Sequence, residues 1–162
     1  MATTTSEFLK THRVFIAVGS NLGDRYQNIA SALSLLCERS LNDSSPPSAR
    51  LVRTPFLYET APMYLTDQPC FLNGAVEIET RLEPHALLER LKQIEKQIGR
   101  DLNGVRNGPR LIDLDILFYE DRAISDSPSS SILLNSSDLV IPHPRIQERE
   151  FVLAPLCDLA GY

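Results

Sequence analysis

The chain has 162 residues, of which 43% are hydrophobic and 23% charged, and a formal net charge of -5. That size and balance describe one domain with its own core, the acidic excess argues against general nucleic-acid binding, and no apolar run is long enough to span a bilayer. The 3 cysteines, Cys37, Cys70 and Cys157, are scattered without zinc-type spacing, which fits buried thiols in a reducing compartment.

Residues 1–12 read as a polar tail without a hydrophobic signal core, and 13–162 as the domain. The run 13–19 (RVFIAVG) predicts a buried strand. SNLGD at 20–24 is turn chemistry that supplies helix-capping side chains. Residues 25–39 carry Ile29, Leu33 and Leu36 at helical spacing. After a loop at 42–48, residues 50–58 alternate, with Val52, Thr54, Phe56 and Tyr58 on one side, and Pro55 marks an edge or bulge. The prolines of 60–69 predict a long loop. A strand over 71–80 puts Leu72, Val76 and Ile78 on one side, with Phe71, Asn73 and Glu77 on the other.

Pro84 opens a helix over 84–98, Leu87, Leu88, Leu91, Ile94 and Ile98 stripe it, and Gly99 ends it. A second loop covers 100–109, a strand covers 111–119, and 125–137 is serine-rich and predicts an exposed insertion. A short strand at 139–141 follows, and 145–159 mixes turn and helix signals. The order βαββαβ predicts a ferredoxin-like α+β sandwich. Its mostly antiparallel sheet carries helices on one face and leaves the other open beneath the two long loops.

The segment 107–118, NGPRLIDLDILF, carries the most chemistry. Alternation points Asp113 and Asp115 into one small volume, their Cα atoms about 7 Å apart, while Ile112, Leu114, Ile116 and Phe118 face the other way. Two neighbouring anions in a strand need cations, and Arg100, Arg106 and Arg110 stand close by in sequence. A metal–nucleotide site supplies that need; so does a wet strand face with arginine partners across the sheet. No Walker loop or Rossmann fingerprint is present, so any phosphate binding here rests on metal and arginine. The acid pair suits Mg²⁺, which takes few carboxylates together with water and phosphate oxygens. His143 is fixed between prolines in IPHPR, and Arg149 and Phe151 follow in EREF. Phe71 and Phe151 are candidate stacking plates for a flat heterocycle, or simply core aromatics. The Asn73 amide can read a heterocycle edge, or sit as a polar group on an exposed face.

Taken together, these segments resemble the 6-hydroxymethyl-7,8-dihydropterin pyrophosphokinase family of folate biosynthesis. The resemblance runs through GSNLGDR (19–25), LYETAP (57–62), DQPCFLN (67–73), IEKQIGR (94–100), NGPRLIDLDILF (107–118), IPHPR (141–145) and REFVLAPL (149–156). It implies pyrophosphate transfer from ATP to the hydroxymethyl group of the reduced pterin, with AMP released. It implies Asp113 and Asp115 as ligands of two Mg²⁺ ions and Arg100 and Arg110 as mobile-loop arginines that support transfer. Lys92, Glu95, Ile116, His143 and Arg149 fall around the ATP. Phe71 and Phe151 match the rings that sandwich the pterin, Asn73 its edge reader, and Thr60, Ala61 and Met63 the loop completing that pocket, with Asp113 bordering it.

The chain departs from that pattern at Asn107, where many members carry an aromatic that closes over the site. Lys92 replaces a neutral amide of some members, and the serine-rich segment is absent from the shortest ones. The ending soon after LAPL suggests a domain of a longer multifunctional folate enzyme, in the cytoplasm or an organelle such as the mitochondrion. The partners implied are small molecules, with no nucleic acid and no membrane. Three rivals stand beside it: a ferredoxin-like metabolite-binding regulatory module without chemistry, an RNA-binding module of the same topology, and another metal-dependent nucleotidyl or phosphoryl transferase.

Overall fold

The structure, a computed structural model, describes residues 11–38, 47, 49–101, 104–122 and 130–160. The expected polar tail up to residue 10, nearly all of the 42–48 loop and the first part of the serine-rich segment lie outside these.

Strand β1 (Thr11–Ser20) is the centre of the sheet. It pairs antiparallel with β4 (Phe71–Thr80) on one side and β5 (Asp113–Arg122) on the other. β2 (Ala49–Arg53) and β3 (Tyr58–Thr60) both pair with β4. The helices α1 (Arg25–Cys37) and α2 (Pro84–Ile98) cover one face. There Val14, Ile16, Val18, Val76, Ile78, Leu114 and Ile116 interleave with Ile29, Leu36, Leu87, Leu91 and Ile94 in one buried core. This is the expected α+β sandwich, with β2 and β3 as two halves of one sequence segment.

Local chemistry sets the helix ends. The Asp24 carboxylate accepts from the Gln27 N–H at 3.0 Å and caps α1. Pro84 begins α2, and Gly99 closes it at φ 98°, a left-handed turn that glycine enters without a Cβ clash. No helix among the described residues is long and apolar enough to cross a membrane.

Four features differ from the sequence reading. The alternating run 50–58 is not one strand, because its pairing stops after Arg53 and resumes at Tyr58, on either side of Pro55, which has no N–H for a ladder. A bulge interrupts β5: Phe15 faces Phe118 while Ile16 faces Ile116, so Leu117 is the extra residue. Phe118 therefore does not share a side with Ile116. Its ring meets Phe15 edge-on at 6.2 Å, and Tyr119 enters the helix-side core instead.

The second sheet face is not fully open either. A 3-10 turn (Ile146–Glu148) leads into α3 (Glu150–Ala160), and Ile146, Val152 and Leu159 pack on Phe15, Ala75 and Leu117. Only the end of this face near the β1 exit stays free. The described part of the serine-rich segment is also partly ordered. β6 (Ser130–Ser131) extends the β5 edge, and β7 (Leu134–Asn135) pairs with β8 (Val140–Ile141). The unpaired backbone of β5 supplies that edge, with the Ile132 N–H donating to the Tyr119 carbonyl at 2.8 Å.

At the far end of the same face Glu77 is 3% exposed between two guanidiniums, Arg13 Nε at 2.8 Å and Arg53 Nη2 at 2.6 Å. Burial pushes its carboxyl up, and the two arginines outweigh that and hold it below the usual range.

Candidate active site

A cleft of about 680 Å³ opens where β1 ends and β5 begins. Asp113 and Asp115 of β5, Phe71 and Asn73 of β4, parts of the 60–70 and 100–110 loops, and Arg149 and Phe151 line it together. The register explains the room. Asp113 lies opposite Gly19 and Asp115 opposite Ala17, so the two acids stand beside small residues. A Cβ at Gly19 would come within 2.6 Å of Asn73 Oδ1, so glycine there is what lets the Asn73 amide lie across the strand.

The two acids have different surroundings. Asp113 Oδ1 meets Arg100 Nη1 at 2.5 Å, and Asp113 Oδ2 meets Arg110 Nη2 at 2.9 Å. Burial alone would push its carboxyl up; Arg110 and Arg100 outweigh it and hold the group below its usual range. Among the described residues Asp115 makes one long ion pair, with Arg149 Nη1 at 3.9 Å, and feels Lys92 only from farther off. Burial and then the neighbouring Asp113 charge push its carboxyl up to about 6. The pair thus lacks cation on the Asp115 side.

Glu95 anchors Arg100 from below. It is fully buried, and its Oε1 accepts from Arg100 Nη1 at 2.6 Å and from the Leu114 N–H at 2.8 Å. Lys92 Nζ donates to its other oxygen at 3.0 Å. Arg100 is therefore held between Glu95 and Asp113. The Arg110 guanidinium lies 5.0 Å over the Phe71 ring, and that of Arg149 lies 5.7 Å from the Phe151 ring. Asn73 Nδ2 donates to Thr60 Oγ1 at 2.7 Å, which joins β4 to β3 at the cleft wall.

The structure brings Thr60, Ala61, Met63, Phe71, Asn73, Arg100, Arg110, Asp113, Asp115, Arg149 and Phe151 to one cavity. Four of the sequence-predicted residues do not line it. Glu95 lies beneath Arg100. Ile116 packs in the helix-side core, since its strand parity is opposite to that of Asp115. Lys92 sits half exposed on α2. His143 is half-buried beyond Arg149, its N–H donating to the Leu117 carbonyl at 3.0 Å and its Nδ1 accepting from the Arg145 N–H at 3.1 Å. Burial, then Arg149 and Arg145, lower its imidazole pKa.

Sequence reasoning missed the ties between the loops. Asn21 is 2% exposed, and its Nδ2 donates to Gln68 Oε1 and to the Pro69 carbonyl, both at 3.0 Å. Its Oδ1 accepts from the Arg110 N–H at 2.8 Å. Gln68 Nε2 in turn donates to the Asn107 carbonyl at 2.9 Å. One turn side chain thus joins the loop after β1, the 60–70 loop and the arginine loop. SNLG and DQP read as turn chemistry, which by itself accounts for Asn21 and gives no sign of these ties. Asn107 has φ 59°, a left-handed conformation that asparagine tolerates better than an aromatic residue does.

Among the described residues no group of three or more His, Cys, Asp or Glu could hold a metal. Two carboxylates beside an open cleft instead fit a hard cation that keeps water and completes its shell with ligand oxygens, as Mg²⁺ does. Two aromatic rings and an amide lining the same cleft fit a flat, polar-edged ring.

The chain resembles known proteins over nearly its whole length. Residues 15–161 match the family described as 7,8-dihydro-6-hydroxymethylpterin-pyrophosphokinase (HPPK). A folate synthesis bifunctional protein of Arabidopsis thaliana is 46% identical over 98% of this chain and 29% of its own length. A mitochondrial folate synthesis bifunctional protein of Pisum sativum is 49% identical over 91% of the chain and 25% of its own length. The 2-amino-4-hydroxy-6-hydroxymethyldihydropteridine pyrophosphokinase of Bacillus subtilis is 41% identical over 90% of the chain and 76% of its own length. The chain thus spans between a quarter and a third of the two plant relatives.

Proposed function

The chain belongs to the 7,8-dihydro-6-hydroxymethylpterin-pyrophosphokinase family, and on that premise we propose that it transfers pyrophosphate from ATP to 6-hydroxymethyl-7,8-dihydropterin. AMP and the dihydropterin diphosphate are the products, and the step belongs to folate biosynthesis. The observation that carries this reading is the convergence of an acid pair, its arginines and two aromatic plates on one cleft.

Phe71 and Phe151 stack on the two faces of the pterin. Asn73 reads its edge, Thr60, Ala61 and Met63 complete the wall, and Asp113 borders the ring. Asp113 and Asp115 would hold two Mg²⁺ ions. When bound, these offset most of the roughly four negative charges of the triphosphate. Arg100 and Arg110 leave the Asp113 oxygens and turn to phosphate oxygens, while Glu95 keeps Arg100 within reach. Arg149 and His143 meet the phosphate chain, and Lys92 lies on the nucleotide side. Arg110 also vacates the Phe71 ring face, so both ligands release the same guanidinium. The hydroxymethyl oxygen attacks the β-phosphorus in line and gives up its proton to solvent, the bond from that phosphorus to the α–β bridging oxygen breaks, and AMP departs with that oxygen. Closing of the arginine loop excludes water that would otherwise hydrolyse ATP.

The names of the plant relatives support two extensions. The domain works joined to another folate-synthesis domain, and it does so in an organelle such as the mitochondrion, with the cytoplasm as the alternative compartment.

Incubation with Mg²⁺ and ATP, with and without hydroxymethyl-dihydropterin, tests the reaction. AMP forms only when the pterin is present. ADP as product points to another phosphoryl transferase, and no turnover at all points to a binding module.

A further inference from the structure

Tyr64 lines the cleft and has no part in the reaction as described. It sits in the 60–70 loop, 40% exposed, and reaches across the cleft mouth to the segment before α3. The Arg145 guanidinium lies 5.0 Å from its ring centroid and that of Arg149 5.7 Å. Arg149 Nε also donates to Tyr64 Oη at 3.2 Å. One ring therefore gathers two cations.

Among the described residues neither cation is well neutralised by carboxylate. Arg149 stands 3.9 Å from Asp115, and Arg145 stands 3.8 Å from Glu148. These are long contacts beside the 2.5 to 2.9 Å that Asp113 makes with Arg100 and Arg110. Like charges so close repel unless something holds them, and an aromatic face does so without consuming their charge. The pair keeps its charge for an anionic ligand. The same ring belongs to a loop whose other end is tied to the arginine loop through Gln68 and Asn107.

We propose that Tyr64 is a positioning residue that holds Arg145 and Arg149 as a stacked cationic pair for the nucleotide's phosphate chain, with Arg145 as a further phosphate contact. This rests on the ATP-dependent reading above. Tyr64 acts through the two guanidiniums and leaves the ring pocket to Phe71, Phe151 and Asn73. Its loop closes on the cleft when the phosphates draw the pair inward.

Calorimetric titration of the full chain with α,β-methylene-ATP and Mg²⁺, and separately with hydroxymethyl-dihydropterin, tests it. Tyr64→Ala is expected to weaken analogue binding about 5-fold or more, on the usual scale of a cation–π contact, and to leave pterin affinity within about twofold. Tyr64→Phe, which keeps the ring, is expected to recover most of the loss. Arg145→Ala is expected to weaken analogue binding in the wild-type background and to add little to Tyr64→Ala. Unchanged analogue binding in Tyr64→Ala overturns the proposal, as does a loss confined to the pterin. A wild-type chain that binds no analogue overturns the ATP reading itself, and this inference with it.

Discussion

Glu95 is the residue on which the arrangement of the cleft's cations rests. Glu95→Gln removes its charge and keeps its shape, so the Leu114 N–H retains an acceptor. The Arg100 guanidinium, 2.6 Å from Glu95, loses one of two carboxylate partners while remaining largely buried. Breaking a buried pair outright costs about 3–5 kcal/mol, and a hydrogen bond to a charged group contributes about 1.5–3. Arg100 keeps Asp113, and the half-exposed Lys92 contact is worth little, so the loss falls at about 2–3 kcal/mol. Urea unfolding at pH 7 of wild type, Glu95→Gln, Arg100→Ala and the double variant reads it as a cycle. A coupling of about 2 kcal/mol between the two positions is expected. A single variant within about 0.5 kcal/mol of wild type, or a coupling near zero, would refute the placement of Glu95 as the anchor of Arg100.

Arg110→Ala is expected to lower kcat by about 10²-fold or more while changing ATP-analogue affinity much less; an effect confined to affinity would remove its role in the transition state. Gly19→Ala sets a methyl 2.6 Å from Asn73 Oδ1, so pterin affinity measured by fluorescence titration is expected to fall about 10-fold, alongside a stability loss of about 1–3 kcal/mol from overpacking. Equal affinity would show that the Asn73 amide does not read the ring. Glu77 has a folded-state pKa held below its unfolded value of about 4.3, so its contribution to stability is present above that value and fades as pH drops through the folded one. In Glu77→Gln the fall in stability between pH 5 and pH 2 is expected to be shallower than in wild type, and equal slopes in urea unfolding would count against this.

The elements that sequence chemistry marks strongly were legible. Pro84 and Gly99 bracket α2 at the residues expected, and the alternation around Asp113 and Asp115 brings both to one cavity. Features that depend on partners distant in sequence were not. The bulge at Leu117 arises from β1 pairing, and nothing in LDILFY distinguishes it from a regular strand. Helix α3 was hidden by Pro155, which sits buried inside it. The family resemblance gathered Glu95 and Ile116 around the nucleotide, whereas their side chains point into the fold beneath the cleft. Asn21, Gln68 and Tyr64 act by hydrogen bonds to loops far away along the chain, and no local pattern reports such a tie.

The exchange of cations at the acid pair is tested most directly by a crystal grown with α,β-methylene-ATP, hydroxymethyl-dihydropterin and Mn²⁺, read by anomalous scattering. The expected result is metal at the oxygens of Asp113 and Asp115, with Arg100 and Arg110 moved onto phosphate. Metal bound elsewhere, with both arginines still on Asp113, would contradict the account.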